Sequence, residues 1–127
     1  MDFIDLAEKG AEAAEKKKRE IDLFGTDNFR SWMLYFVPGD GTDMHYHANP
    51  ETFLVLEGRG TVKGITGEER AVKKHDLLCL GAKDYCRITN TGAEPLVLFG
   101  NRSEGFGGQH VVADGKDRKK LERRGEG

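Results

Sequence analysis

The feature that most constrains the fold is how often the chain between residues 21 and 112 is interrupted. Residues that break secondary structure recur roughly every 8 to 12 positions, as in the Pro-Gly-Asp-Gly at residues 38–41 and the Ala-Asn-Pro at residues 48–50. The segments between them are rich in aromatic and β-branched residues and are too short for helices. Segments that suit strands lie near residues 21–24, 29–37, 45–47, 52–56, 61–65, 69–73, 77–80, 85–89 and 95–100. This spacing predicts an all-β sandwich or barrel.

The first twenty residues differ from this pattern and predict a helix over residues 2–19. Asp2 is placed to cap its N-terminus. The apolar side chains fall on one face at helical spacing but are mostly small, so the helix needs a surface to pack on, either the barrel or a partner subunit. The predicted face consists of Phe3, Ala7, Ala11 and Ala14.

Charge and length set the domain organisation. The 127 residues suit one domain, and both ends are charged. We expect an N-terminal helical arm at residues 1–20, a barrel at residues 21–112 and a flexible charged tail at residues 113–127. The net charge of −2 argues against a nucleic-acid partner.

Location and redox state follow from the same composition. No apolar run approaches the roughly 20 residues that cross a bilayer, and the N-terminus does not resemble a signal segment, so we expect no membrane association and a cytoplasmic location. Cys79 and Cys86 do not form a Cys-x-x-Cys pair. A reducing compartment favours free thiols, although a disulfide between them is compatible with the sequence.

The residues most indicative of function are His45, His47 and Glu51. Side chains two apart on a strand point to the same side, so the two imidazoles project together. Glu51 follows after a turn that contains Pro50 and opens the next strand, from which its carboxylate can reach the same point. Two imidazoles and a carboxylate form a three-ligand metal site with open positions. An isolated His-x-His pair is common on exposed loops, and here the added glutamate at this spacing favours a metal site.

At this point the sequence resembles a known family. The run from Gly39 through His45, His47 and Glu51 to Gly58 matches the first motif of the cupin family in residues and in spacing. The resemblance covers about residues 29–102. It implies a double-stranded β-helix, a jelly-roll barrel of two antiparallel sheets with a metal inside. It also implies frequent dimers, and activities that range from dioxygenases through isomerases and lyases to non-catalytic binding.

The second cupin motif is degenerate in this chain. Aligned on Asp76 and Asn90, the sequence keeps the spacing and the asparagine, but His75 and Lys83 stand at glycine positions. Cys86 stands where the family has its fourth ligand, normally histidine. Three readings stay open for Cys86, namely a metal ligand, a small apolar neighbour of a three-ligand site, or a reactive thiol. Strand alternation places Cys86, Ile88 and Asn90 on one face, pointing inward.

Several further residues are weaker candidates for the site. One of Trp32 and Tyr35 should face inward, and Tyr46 should face away from the histidines. Arg87 and Arg102 could hold an anionic substrate, although Arg87 should point outward if its neighbour at position 86 points inward. We expect His75 to be solvated in a turn. The residues for which the sequence leaves a pocket role open are Trp32, Tyr35 and His110.

The expected function is that of a small metal-dependent enzyme. Its site would hold one divalent metal ion per chain, with His45, His47, Glu51 and Cys86 as the candidate ligands. Iron is favoured, with zinc, copper, nickel or manganese as alternatives. We expect oxidation of a small organic substrate, as in a dioxygenase. A non-redox lyase, isomerase or cyclase is an alternative, and so is a non-catalytic cupin that binds a small ligand or a metal. A homodimer is expected because open sheet edges need cover.

Overall fold

The computed structural model describes residues 1–104 and the backbone of residues 111–112. In these residues one helix, α1, precedes ten strands. The predicted all-β barrel with an N-terminal helix is confirmed. The elements are α1 (Leu6–Lys16), β1 (Glu20–Thr26), β2 (Phe29–Phe36), β3 (His45–Tyr46), β4 (Glu51–Glu57), β5 (Arg59–Gly64), β6 (Glu69–Lys73), β7 (Leu77–Leu80), β8 (Cys86–Thr89), β9 (Leu96–Arg102) and β10 (Val111–Val112).

The strands form two five-stranded antiparallel sheets. The first has the order β1-β2-β9-β4-β7 and the second the order β10-β3-β8-β5-β6. Strands that are distant in sequence therefore lie side by side, as in a jelly roll. One hydrophobic core joins the inner faces of the sheets, with Leu34, Val55 and Leu98 from the first sheet and Val72 and Ile88 from the second.

Helix α1 is shorter than predicted and buries a different face. It begins at Leu6 because Asp5, not Asp2, is its N-cap, with a carboxylate that accepts the amide hydrogens of Ala7 at 2.9 Å and Glu8 at 3.2 Å. The helix ends at Lys17, which adopts a left-handed conformation. Its fully buried side chain is Ala13, outside the predicted face.

The residues predicted for the packed face remain exposed in the structure. Phe3 precedes the helix and is 89% exposed, while Ala11 and Ala14 are also exposed. The helix packs against β1 and β2 of its own chain. The sequence allowed the helix to pack either on the barrel or on a partner subunit. In this structure it packs on the barrel.

The inner face of the first sheet is organised in rows across the strands. Trp32, Gly100 and Phe53 form one row, since Gly100 pairs with both of the others. A Cβ atom on Gly100 would lie 2.8 Å from Phe53 Cε1 and 2.9 Å from two atoms of the indole. The missing side chain allows the two rings to meet edge to face, with centroids 5.5 Å apart.

Positive φ angles fix several of the turns. Gly39 and Gly58, the outer glycines of the first motif, have φ of 89° and 86°. His75 and Lys83, which stand at the glycine positions of the second motif, also have positive φ, 81° and 66°. The backbone at these positions thus takes a conformation that favours glycine although neither residue is glycine.

Asn90 is the residue of the second motif that the chain keeps, and it is 1% exposed. Its amide group donates hydrogen bonds to the carbonyl oxygens of Phe36 and Glu94, both at 2.8 Å, and its side-chain oxygen accepts one from Gly92 N at 2.9 Å. These bonds tie the loop after β8 to the end of β2, so the asparagine has a structural role in the barrel.

Two sequence-based expectations fall outside the described residues. They are the tail at residues 113–127 and the pocket role considered for His110. Among the helices that the structure describes, none is long and apolar enough to cross a membrane.

Candidate metal centre

His45, His47 and Glu51 converge at one end of the barrel. His45 lies on β3, His47 follows that strand directly, and Glu51 is the first residue of β4. All three are buried, with exposures of 5%, 7% and 6%. One ligand atom from each residue lies within 4.8 Å of those from the other two. The strand and turn pattern therefore brings together three side chains whose chemistry suits a divalent metal.

The orientation of His45 is fixed by a backbone contact. Its Nδ1 lies 2.8 Å from the carbonyl oxygen of Asp43. Because a carbonyl oxygen only accepts, Nδ1 carries the hydrogen and Nε2 keeps its lone pair. A histidine held in this way presents Nε2 as a metal ligand. The ring of His47 lies nearly perpendicular to that of His45, at 87°, with centroids 5.0 Å apart.

Glu51 lies in a buried environment with one strong partner. Arg102, its cross-strand neighbour on β9, places Nη1 3.2 Å from Glu51 Oε2. Burial raises the pKa of the Glu51 carboxyl to about 7, and the positive charge of Arg102 opposes that rise. Glu51 Oε2 also lies 4.0 Å from His47 Nε2. The carboxylate is thus close to both an imidazole and a guanidinium.

These side chains fit a mononuclear ion once they move closer together. In a facial or tetrahedral set, ligand bonds of about 2.0–2.2 Å place the ligand atoms about 2.8–3.6 Å apart. The 4.0 Å between His47 Nε2 and Glu51 Oε2 exceeds this range by about 0.4–1.2 Å. The greatest separation in the group, up to 4.8 Å, needs a contraction of about 1–2 Å. Rotation of the three side chains about their χ angles supplies such a change.

Cys86 lies beside this group but is not part of it. It pairs with His45 between β8 and β3 and is 3% exposed. The group of mutually close ligand atoms within residues 1–104 consists of the two histidines and Glu51, without the thiol. Burial raises the pKa of the Cys86 thiol to about 12, and the charge of Glu51 adds to that rise. Without a metal the thiol is therefore protonated at neutral pH.

The structure places the weaker sequence candidates in different environments, from the core to the surface. Trp32 faces the core, 3% exposed, whereas Tyr35 lies on the outer side toward α1 and is half-buried. Tyr46 packs against Tyr85, with ring centroids 4.8 Å apart. His75 is exposed, as predicted.

The inward direction of residue 86 is also confirmed. Cys86, Ile88 and Asn90 are all buried, and Arg87 between them is exposed. The expectation of free thiols is confirmed as well, with Cys79 exposed and Cys86 buried.

The sequence did not identify the ion network next to the centre. Arg102 was only one of two weak arginine candidates, and Glu104, whose Oε1 lies 3.2 Å from Arg102 Nε, was not singled out. Arg30 was also missed, although it pairs with Arg102 across β2 and β9 and is 5% exposed. The available signal was strand alternation, because Arg102 falls on the inward side with Leu96 and Leu98.

A small antiparallel barrel with two histidines and a glutamate converging inside one end defines a class of metal-binding β-barrels. The sequence matches the family model of the cupin domain over residues 32–99, which is more than half of the chain. The chain therefore belongs to the cupin family, as its first motif predicted.

Solved structures share this fold at low sequence identity. A protein of Thermus thermophilus, TT1209, has a TM-score of 0.68 and 19% identity over 82% of this chain and 98% of its own. An uncharacterized conserved protein with a double-stranded β-helix domain from Klebsiella pneumoniae has a TM-score of 0.64 and 19% identity, over 69% of this chain and 79% of its own. The DMSP lyase DddQ of Ruegeria pomeroyi has a TM-score of 0.67 and 15% identity, over 81% of this chain and 56% of its own.

One curated relative matches over a short segment. Auxin-binding protein 5 of Zea mays is 42% identical over 38 residues. The matched segment spans 30% of this chain and 25% of the maize protein. These comparisons show the fold and the family of the chain.

Proposed function

We propose that the protein is a mononuclear metal-dependent enzyme that acts on a small organic molecule, with iron as the metal and oxidation as the reaction. The observation that carries the proposal is the convergence of two histidines and one glutamate in a buried site. This ligand set is the one associated with ferrous oxygenases.

In this proposal His45, His47 and Glu51 hold the ion. A bound divalent ion would supply a Lewis acid with open positions for a substrate or for dioxygen. The contact of His45 with the backbone keeps its Nε2 directed for binding, and the burial of all three side chains limits access of water. A groove of about 600 Å³ lies beside the site and is lined in part by Glu51 and Arg102, although not by either histidine.

The metal content of the purified protein tests the metal site. We expect about one equivalent of a transition metal in the wild type after purification without added metal. His47→Ala should lose the metal, whereas His75→Ala removes an exposed histidine and should retain it. Equal loading of both variants would contradict the proposed site.

Cys86→Ser tests the remaining ligand question. If the thiolate binds the metal, cobalt-substituted wild type should show a thiolate-to-metal charge-transfer absorption that Cys86→Ser lacks. Identical metal loading and identical spectra for the two proteins would establish a three-ligand centre with Cys86 as its neighbour.

The non-redox alternative, a lyase, isomerase or cyclase, is supported by the fold it shares with a protein named as a DMSP lyase. A screen of small organic acids and sulfonium compounds with and without dioxygen separates the two. Turnover by the iron form that consumes dioxygen supports oxidation. Turnover under strict anaerobiosis, with zinc or nickel as effective as iron, supports the alternative, and no turnover with any metal supports a binding protein.

We also propose a cytoplasmic homodimer. Free thiols suit a reducing compartment. Apolar side chains stay exposed near the N-terminal arm, including Phe3, Phe24 and Phe29. Sedimentation of the full chain should show a dimer, and removal of residues 1–20 should weaken it. A monomeric full chain would contradict the proposal, and an unchanged dimer without those residues would exclude the arm from the interface.

A further inference from the structure

Arg102 is the most deeply buried charged side chain next to the proposed metal centre, at 2% exposure. Its Nη1 donates to Glu51, and its Nε lies 3.2 Å from Glu104 Oε1. Its Nε and Nη2 are both buried, and neither has a hydrogen-bond partner among the residues that the structure describes, so the contact with Glu104 is an ion pair without hydrogen-bond geometry. Buried guanidinium groups normally have their donors satisfied, so this position calls for a further acceptor.

The surroundings hold Arg102 in place. Its guanidinium carbon lies 4.9 Å from the centre of the Trp32 ring, and that of Arg30 lies 4.6 Å from the same ring. Arg30 is already bound to two carboxylates, with Nη2 2.9 Å from Glu20 Oε2 and 2.5 Å from Asp22 Oδ1. Arg102 therefore carries two buried donors that no described residue satisfies, on the same guanidinium group that contacts Glu51.

The charge balance indicates what that acceptor is. Arg102 and the two carboxylates that contact it, Glu51 and Glu104, carry one net negative charge when ionised. A divalent cation on Glu51 would change this to one net positive charge. A buried positive charge is costly unless an anion compensates it. One monoanionic ligand would balance the site and supply the missing oxygen.

We propose that Arg102 selects the substrate of this centre, and that its Nη2 binds one oxygen of the carboxylate group of a small organic acid. The inference rests on the proposed metal site and specifies its substrate class. Arg87, the other arginine considered from the sequence, is exposed and is excluded from this role.

The test uses the full chain loaded with cobalt and titrated with matched ligand pairs, glycolate against glycolamide and pyruvate against pyruvamide. Dissociation constants come from the change in the cobalt absorption. In the wild type we expect each carboxylate to bind at least about tenfold more tightly than its amide. Arg102→Gln should weaken carboxylate binding by roughly 10- to 100-fold, the range for a lost charge-assisted hydrogen bond, and leave amide binding within about twofold.

Arg30→Gln is the matched control, because it removes an equally buried arginine from the same row and should keep the selectivity for carboxylates. Arg102→Lys keeps the positive charge but lacks the planar guanidinium group with its paired donors, and it should show intermediate selectivity. Carboxylate selectivity that survives in Arg102→Gln overturns the proposal. So does a loss of cobalt affinity that accounts for all of the weakening, since Arg102 would then only position Glu51. A wild-type protein that holds no cobalt contradicts the proposed function itself and removes the basis of the inference.

Discussion

The buried carboxyl of Glu51 should make the metal-free protein less stable as the pH rises. Its pKa is raised from the ordinary value of 4.5 to about 7, chiefly by burial. Between these values the folded protein holds a proton that the unfolded chain has released. Because the folded state binds more protons, the free energy of unfolding falls with rising pH across this interval. Glu51→Gln should abolish that part of the pH dependence.

The size of the effect follows from the two pKa values. The difference between 4.5 and about 7, at about 1.36 kcal/mol per pKa unit, corresponds to about 3 kcal/mol as an upper value. The stabilisation is fully present below pH 4.5 and is lost by about pH 8. Arg102 limits the effect, since its positive charge lowers the pKa of Glu51.

Urea denaturation in the presence of a chelator at pH 5, 6, 7 and 8 measures this difference. The wild type should lose about 2–3 kcal/mol relative to Glu51→Gln over the series, since part of the change precedes pH 5. Glu57→Gln changes an exposed glutamate at the far end of the same strand and should follow the wild type. Parallel curves for wild type and Glu51→Gln would refute the reasoning.

Three further predictions concern single positions. Lys83→Gly should stabilise the protein by about 1 kcal/mol in thermal unfolding, because glycine adopts the φ of 66° without strain. The neighbouring change Ala82→Gly should destabilise it by about 0.4–1 kcal/mol. A loss of stability in both variants would contradict the backbone strain at Lys83. Gly100→Ala should cost about 1–3 kcal/mol, because its methyl group needs space taken by two rings, and an unchanged urea midpoint would contradict this. Iodoacetamide should alkylate Cys79 quickly and Cys86 only after unfolding, as judged by mass spectrometry; equal rates in the native protein would contradict the burial and high pKa of Cys86.

The strands and the three central site residues could be predicted because their signals are local. Alternation with period two and turn residues at short intervals define each strand from its own sequence. His45, His47 and Glu51 are spaced by one strand and one turn, so a short segment brings them together. The helix was harder. Its N-cap is Asp5 and not the predicted Asp2, and the side chain that it buries, Ala13, lies outside the predicted face.

The ion network could not be predicted from local pattern. Arg102 lies 51 residues beyond Glu51, and their contact depends on the register between β4 and β9. That register is set by the pairing of inner rows across the whole sheet, including the fit of Trp32 and Phe53 around Gly100. Strand alternation could indicate that Arg102 points inward, but not that its partner is the glutamate of the proposed metal site.

In the degenerate second motif, some positions shape the barrel and another bears on metal binding. His75 and Lys83 have positive φ at the positions where the motif has glycine, and Asn90 makes one hydrogen bond to β2 and two within the loop after β8. The barrel thus depends on backbone conformation and on Asn90. Position 86 must fill a small buried space opposite His45, and a cysteine does so without any change in strand pairing. The cysteine at this position therefore bears on which ligands a bound metal would have, while the pairing of β8 with β3 is present with the cysteine in place.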